Sequence, residues 1–404
     1  MVMKKSVDIV IVGAGVIGLS TALRLVQHGL RVLVVDRQEI GREASWAGAG
    51  MLPPGNLDFA ETPEARLRAY SHRLWGKFIE ELHDLTGVDT GYCRCGVVEL
   101  CGTGPGGTGP GGTGLGSTGP SGVKVSSVKA SSAEGFADLS DWRQQLHSEN
   151  LAFEDWDAKQ LQEFAPHINR EISEALFVPD FGQIRNPRYL KALNVACRLQ
   201  GVDFLQHDHV ALHRSESGVV TVKSAESTII ADTVCVAAGA WSQLLLRQVG
   251  YEIPVRPVQG QIVQLRPTKV SFDHVIQVGR RYLVPRKDGL VLVGSTEAFC
   301  GYSKQVTSSG LRSLLAFAEQ LVPSLGSAEV VRQWAGLRPG SIDELPFLGT
   351  VPNCKNLYVA AGHFRSGLQM SVGTAAIMCR LLTGREPEIC LDGLQVNRIQ
   401  DAVG

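Results

Sequence analysis

Between Val7 and Asp36 the chain reads VDIVIVGAGVIGLSTALRLVQHGLRVLVVD. A β-branched run ends at Gly13, and Gly15 and Gly18 complete the spacing Gly-x-Gly-x-x-Gly. Leu19, Ala22, Leu23 and Val26 then recur at helical spacing up to Gly29. A second apolar run closes on the acidic Asp36. Strand, glycine turn, helix, strand and acid in this order make a βαβ unit. The free N–H groups at such a helix start face a dinucleotide pyrophosphate, and the acid meets a ribose hydroxyl.

The same glycine pattern recurs at 101–107, CGTGPGG, after the apolar run GVVEL. It opens a five-residue Gly-Thr-Gly-Pro repeat with Pro105, Pro110 and Pro120, in which no helix can start. Glycine does not fall at every third position, so a collagen strand is excluded. Residues 102–122 read as a flexible low-complexity loop inserted in a domain.

A chain of 404 residues, 44% hydrophobic and 20% charged, can bury a large core and reads as two domains. Its net charge of −1 gives no electrostatic case for nucleic acid. Nine cysteines occur without a Cys-x-x-Cys, and Cys93 and Cys95 read as buried or free thiols, which fits a reducing cytoplasm; no metal is expected. MVMKKS ahead of an apolar run imitates a secretory signal, but Asp8 interrupts that run and no cleavage site comes after it. The segment from Thr62 predicts a helix with Leu67, Tyr70, Leu74, Phe78 and Leu82 on one stripe, read as a packed helix rather than a membrane-surface one. His207, His209 and His213 would share one face of a surface strand, without the further ligands that zinc needs.

Three further segments return to the dinucleotide. RQEIGREASWAGAGML, after Asp36, is a small-residue loop suited to run along an extended cofactor. ADTVCVAAGAWS is another buried strand, turning into a helix at Trp241 beside the first two strands. NLYVAAGHFRSGLQMSVGTAAIMCRLLTG predicts a strand Leu357–Ala361 and, after Gly367, a helix to Gly384. A helix start stabilises nearby negative charge by roughly 0.3–2 kcal/mol, which suits the anionic edge of a reduced flavin and has no use for nicotinamide.

The segments VDIVIVGAGVIGLSTALRL, SWAGAGML, QIRNPR, YLVPRKDGLVLVGST, WAGLRPGS and AGHFRSG occur in an order that resembles the glycine oxidases of thiamine biosynthesis, within the D-amino acid oxidase and sarcosine oxidase family. The resemblance spans nearly everything outside the repeat. It implies an α/β fold in which a Rossmann-like FAD-binding domain carries a second, substrate domain built on an antiparallel-rich sheet. VQGQIVQL, HVIQV, RYLVP and LVLVG would supply that sheet, the last two joined by a turn at Lys287-Asp288-Gly289. Because the chain returns to the cofactor after each excursion, the expected domains are discontinuous: 1–86, 186–250 and 335–404 for FAD, 87–185 and 251–334 for substrate.

The resemblance also implies non-covalent FAD on Gly13, Gly15, Val16, Ile17 and Gly18, on Asp36 and Arg37, and on Ala44, Ser45, Ala49, Gly50 and Met51. Val210 would hold the adenine, and His363, Phe364, Arg365, Ser366, Gly367, Leu368 and Gln369 the flavin. Asp36 stands where many members have Glu. Arg338, in extended GLRPG, is suited to a bidentate grip on a substrate carboxylate, the role that the family gives it. Tyr282 would add a hydroxyl, or simply pack on the sheet; Arg365 is expected beside the flavin or its phosphates, and Glu297 approaches the pocket without an assigned role. The implied reaction is oxidative deamination of glycine or a similar small amine by hydride transfer to flavin, with molecular oxygen or another acceptor and hydrogen peroxide as product. A D-amino acid or sarcosine dehydrogenase, and a non-catalytic flavin-binding partner protein, stay open, as does the oligomeric state, a homo-oligomer included.

Overall fold

The fold is built outward from the β-branched run Ser6–Val12, β1, which is buried along most of its length. In this computed structural model residues 6–100, 139–224, 228–269 and 272–399 are described; the repeat at 102–122 lies outside them. β1 runs parallel to Val32–Asp36, β2, on one side and to Thr228–Val236 on the other. Asp203–Gln206 extends the sheet beyond β2, and Leu357–Ala361 extends it beyond Thr228–Val236, both in parallel. The helix Val16–Gln27, α1, crosses between β1 and β2 and stops where Gly29 takes a φ of +82°, a conformation open to glycine.

Helices Pro63–Thr86, Asn186–Leu199 and Ser371–Leu382 pack with α1 over one face of this sheet. Pro63–Thr86 starts as the sequence predicts: Thr62 Oγ1 accepts from Ala65 N at 3.1 Å, and Gly87 closes the helix at φ +66°. Leu67, Tyr70, Phe78 and Leu82 of its apolar stripe are buried. Among the described residues no helix is long and apolar enough to cross a membrane.

The second sheet has eight strands in the spatial order Glu329–Ser341, Val255–Arg266, Val291–Gly294, Arg281–Pro285, Val275–Val278, Val97–Leu100, Glu174–Val178 and Glu154–Asp157. Every neighbouring pair is antiparallel except Val275–Val278 with Val97–Leu100. Its longest pairing runs from Val255 opposite Ser341 to Arg266 opposite Glu329. At the Ser341 end Gly340 bridges to His363, just beyond Leu357–Ala361 of the first sheet. The two sheets meet there.

Two local expectations are corrected. The three histidines share no strand: Asp203–Gln206 ends before His207, which turns the chain at φ +58°, and only His213 lies on the strand Ala211–Arg214. The C-terminal helix spans Ser371–Leu382 rather than starting after Gly367, because Ser366 to Met370 first form a separate turn in which Met370 N donates to Ser366 O.

Candidate FAD and substrate site

A cleft of about 640 Å³ opens where the C-terminal ends of β1 and β2 face the long strands of the second sheet. Its glycines are fixed by contact. Gly13 lies at φ +116°, and a Cβ there would overlap the Ala237 carbonyl on the neighbouring strand. One at Gly18 would overlap the Gly13 carbonyl, so α1 can lie against the turn only without a side chain. At Gly15 a Cβ would stand 3.1 Å from Ser45 Oγ, the atom that accepts from Val16 N at 2.9 Å. Val16 and Ile17 line the cleft behind them.

Asp36 closes this end. Its Oδ2 accepts from Ala14 N at 2.7 Å and its Oδ1 from Gln38 N at 3.0 Å, while burial pushes the carboxyl above its ordinary range against those bonds. Each oxygen keeps a lone pair for a further donor. Arg37 lies over the Trp241 ring at 3.8 Å and donates to Glu43 at 3.1 Å. Val210 lines the same end, joined by Asp208 and His209.

Ala44, Ser45, Ala49, Gly50 and Met51 form one wall. Two long-range contacts hold it: Asn186 Nδ2 donates to Ser45 O at 2.7 Å, and Arg286 Nη2 donates to Ala49 O at 2.6 Å. Gly50, at φ +76°, accepts on its carbonyl from Ile184 N at 2.8 Å. The floor is the turn from His363 to Gln369, one turn ahead of Ser371–Leu382. His363 is buried and shares a 3.0 Å hydrogen bond with Thr374 Oγ1; burial lowers its pKa to about 3, so the ring is neutral near pH 7. Phe364 N donates to Pro339 O at 3.0 Å and ties the floor to the strand that carries Arg338.

Arg338 reaches the cleft from that strand. Its Nη2 donates to Ser295 Oγ at 2.6 Å and its Nη1 to Thr296 O at 3.3 Å; among the described residues no carboxylate pairs with it. Burial, with the neighbouring charge of Arg365, lowers its pKa to about 10, which leaves it cationic near pH 7. Tyr282 is buried beside it. Both side chains lie on bare backbone: a Cβ on Gly260 would overlap the Arg338 guanidinium, and one on Gly294 would come within 2.5 Å of the Tyr282 hydroxyl. Arg365 turns toward the same side, donating to Glu297 Oε2 at 2.6 Å and to the Arg280 carbonyl at 2.9 Å. Glu297 thus gains the partner that the sequence left unassigned.

The sequence reading did not select Gly260, Gly294, Ser295, Asn186 or Arg286. Asn186 was within reach, since it stands in the QIRNPR segment, as Arg286, Gly294 and Ser295 stand in YLVPRKDGLVLVGST. The contacts that give them and Gly260 a part in the cleft are long-range, which spacing does not reveal.

Along this arrangement residues 8–381 match the family described as FAD dependent oxidoreductase. The chain belongs to that family. It is 33% identical over 386 residues to the glycine oxidase of Pseudomonas putida, covering 95% of this chain and 96% of that protein. It is 31% identical to the bifunctional protein ThiO/ThiG of Synechocystis sp., over 94% of this chain and 52% of that longer protein. The crystal structure of glycine oxidase from Geobacillus kaustophilus superposes with a TM-score of 0.84 at 26% identity, over 97% of this chain and 99% of that one. For an FAD-dependent oxidoreductase the lining is chemically apt: the close-packed glycine turn fits a pyrophosphate, the Asp36 carboxylate a ribose hydroxyl, and the turn with the neutral His363 ring a flavin.

Proposed function

We propose that this FAD-dependent oxidoreductase oxidises glycine or a similarly small amino acid to the imine, which water converts to glyoxylate and ammonia, with oxygen reduced to hydrogen peroxide. The observation that carries this reading is Arg338, a half-buried cation that lines the cleft and has no carboxylate partner among the described residues. A guanidinium held partly out of water calls for an anion. The glycine oxidase names of several relatives give that anion its chemical identity.

FAD, when bound, accepts the hydride. The protein's part is positioning. Two of Arg338's N–H groups go to Ser295 and Thr296, which aims the remaining fork at a carboxylate. The Tyr282 hydroxyl supplies a further donor to the same group. The Phe364 N–Pro339 O hydrogen bond ties the His363–Phe364 turn to the strand that carries Arg338 and so fixes one relative to the other. In this proposal Asp36 holds the ribose, the Gly13–Gly18 turn the pyrophosphate, Val210 the adenine, and His363–Gln369 the flavin ring. Supply to thiamine thiazole synthesis and a cytoplasmic location belong to the same proposal.

Anaerobic mixing of the yellow holoprotein with glycine, sarcosine or small D-amino acids tests it. Glycine is expected to bleach the flavin band, and air to restore it with release of peroxide. A spectrum unmoved by every amino acid would remove the reading.

A further inference from the structure

The segment that joins the strand Val291–Gly294 to the helix Ser308–Leu321 is fastened to the second sheet at its base and to the first at its tip. Two buried glutamines of Val255–Arg266 hold the base. Gln261 N donates to Thr296 Oγ1 at 3.0 Å, and Gln261 Oε1 accepts from Thr307 N at 2.9 Å. Gln259 bridges to Ala298 through its backbone, and its Nε2 donates to Ser303 O at 2.9 Å and to Gln305 O at 3.1 Å. The segment is thus a strap pinned along its length, and its tip is aimed before any contact is made across the cleft.

Two exposed side chains at the tip, Tyr302 and Lys304, make that contact. The Tyr302 hydroxyl donates to Ala240 O at 3.2 Å, and its ring lies against Trp241 with centroids 5.4 Å apart. Lys304 Nζ donates to both oxygens of Glu43, at 3.0 and 3.2 Å. Glu43 also takes Arg37 and, at 2.6 Å, Gln38, whose backbone N–H donates to Asp36. Arg37, Glu43, Ala240 and Trp241 line the cleft at the Asp36 end; Tyr302 and Lys304 stand behind that lining and tie it to the strap.

We infer that the strap is a latch on the cofactor: Tyr302 and Lys304 fasten the Asp36 end of the cleft, and their release from Ala240, Trp241 and Glu43 sets how fast FAD enters and leaves. That the nucleotide end of FAD lies there rests on the placement proposed above. Every latch contact joins one protein group to another, so the latch has to open for entry as well as for exit. Such a gate changes both rates together and leaves their ratio, the dissociation constant, almost untouched, whereas losing a residue that grips FAD speeds release alone. The two contacts are unequal. The Lys304–Glu43 pair is partly exposed, so water and salt weaken it; Tyr302 combines a ring contact with a hydrogen bond to a backbone carbonyl.

Rates of exchange test the latch. Release is timed in the holoprotein by replacement of bound FAD with excess isotope-labelled FAD, and capture by mixing the flavin-free chain with FAD. Tyr302→Ala is expected to speed both by about tenfold, with the dissociation constant within about threefold of the starting protein, and Tyr302→Phe, which keeps the ring, to fall between. Lys304→Glu, on the exposed tip, sets like charges opposite Glu43; it should speed both rates by about threefold, an effect that shrinks at high salt. The latch is overturned if release speeds while capture does not, the mark of a direct grip on FAD, or if the Tyr302 and Lys304 variants leave both rates where they were. Asp36→Ala tests the placement separately, and is expected to speed release without speeding capture. An unchanged dissociation constant in Asp36→Ala would remove the placement. If Asp36→Ala behaves as expected and the tip variants do not, the latch alone falls.

Discussion

Glu99 is a buried ionisable residue and Arg338 a half-buried one, and they differ in what the protein leaves for them. Arg338 lacks a carboxylate partner among the described residues but lines the cleft, where in the proposed reaction the substrate carboxylate would supply the missing charge. Removing one partner of a buried charge pair costs about 2–5 kcal/mol, roughly 30- to 4,000-fold in affinity. Arg338→Ala should therefore raise KM for the amino acid into that range while FAD stays bound, and Arg338→Lys should recover only part, since a point charge cannot reproduce the two-pronged grip. Steady-state kinetics at saturating oxygen checks this; a change in kcat/KM below about threefold would move the anchor elsewhere. Glu99 has no such outlet. It is buried on Val97–Leu100, with Gly279 N donating to Oε1 at 2.9 Å and Oε2 unpartnered, and burial raises its pKa from 4.5 to about 8. The folded protein thus holds a proton that the unfolded chain releases above about pH 4.5, so stability falls as pH rises from 4.5 to 8 and is level beyond. Glu99→Gln cannot ionise. Its melting temperature should gain on wild type from pH 5 to pH 8 and keep that margin at pH 9; parallel curves for the two proteins would contradict the shift.

Pairs of strands, rather than single residues, shape the beds under Arg338 and Tyr282, the side chains proposed to hold substrate. Gly260 sits on Val255–Arg266, opposite Gly336 of the strand that carries Arg338, and Gly294 pairs with Tyr282 itself. Gly260→Ala should push the guanidinium off its bed and raise KM about tenfold or more with flavin content unchanged. In an Arg338→Ala background the same change should add nothing, and this double-mutant cycle separates a positioning effect from general damage. Gly294→Ala should act likewise through Tyr282. The βαβ opening was legible because its strand, turn and helix are contiguous, and Gly18 answers a local need against the Gly13 carbonyl. Neither glycine bed was legible, because the clash that defines it lies across a strand pairing. Arg338 was legible through its motif, whereas its Ser295 and Thr296 partners come from another strand's end, 43 and 42 residues away. The histidines misled for a local reason: alternation was assumed to continue through His207, where the backbone turns. At the C-terminal helix the apolar periodicity ran through the Ser366–Met370 turn, which hid the true start at Ser371.

On the scale of the whole molecule the cleft lies between two sheets, so FAD bound there, as proposed, should act as a stabilising ligand for both. At free FAD one hundred times its dissociation constant the stabilisation is about 2.7 kcal/mol. Flavin-free protein should melt several degrees lower and recover when FAD is added back. Acid precipitation should release the flavin to the supernatant, and colour kept by the pellet would mean a covalent bond. The first sheet also has a temporal consequence. Its parallel strands come from residues 6–12, 32–36, 203–206, 228–236 and 357–361. A ribosome delivers these in order, and for most of the journey the Val234–Val236 edge waits for Leu357–Val359. The FAD cradle lacks its floor for just as long, since His363–Gln369 emerges later still. The nascent chain therefore passes through synthesis with an open sheet edge and an incomplete cofactor site, and a stall before residue 357 strands it in that state.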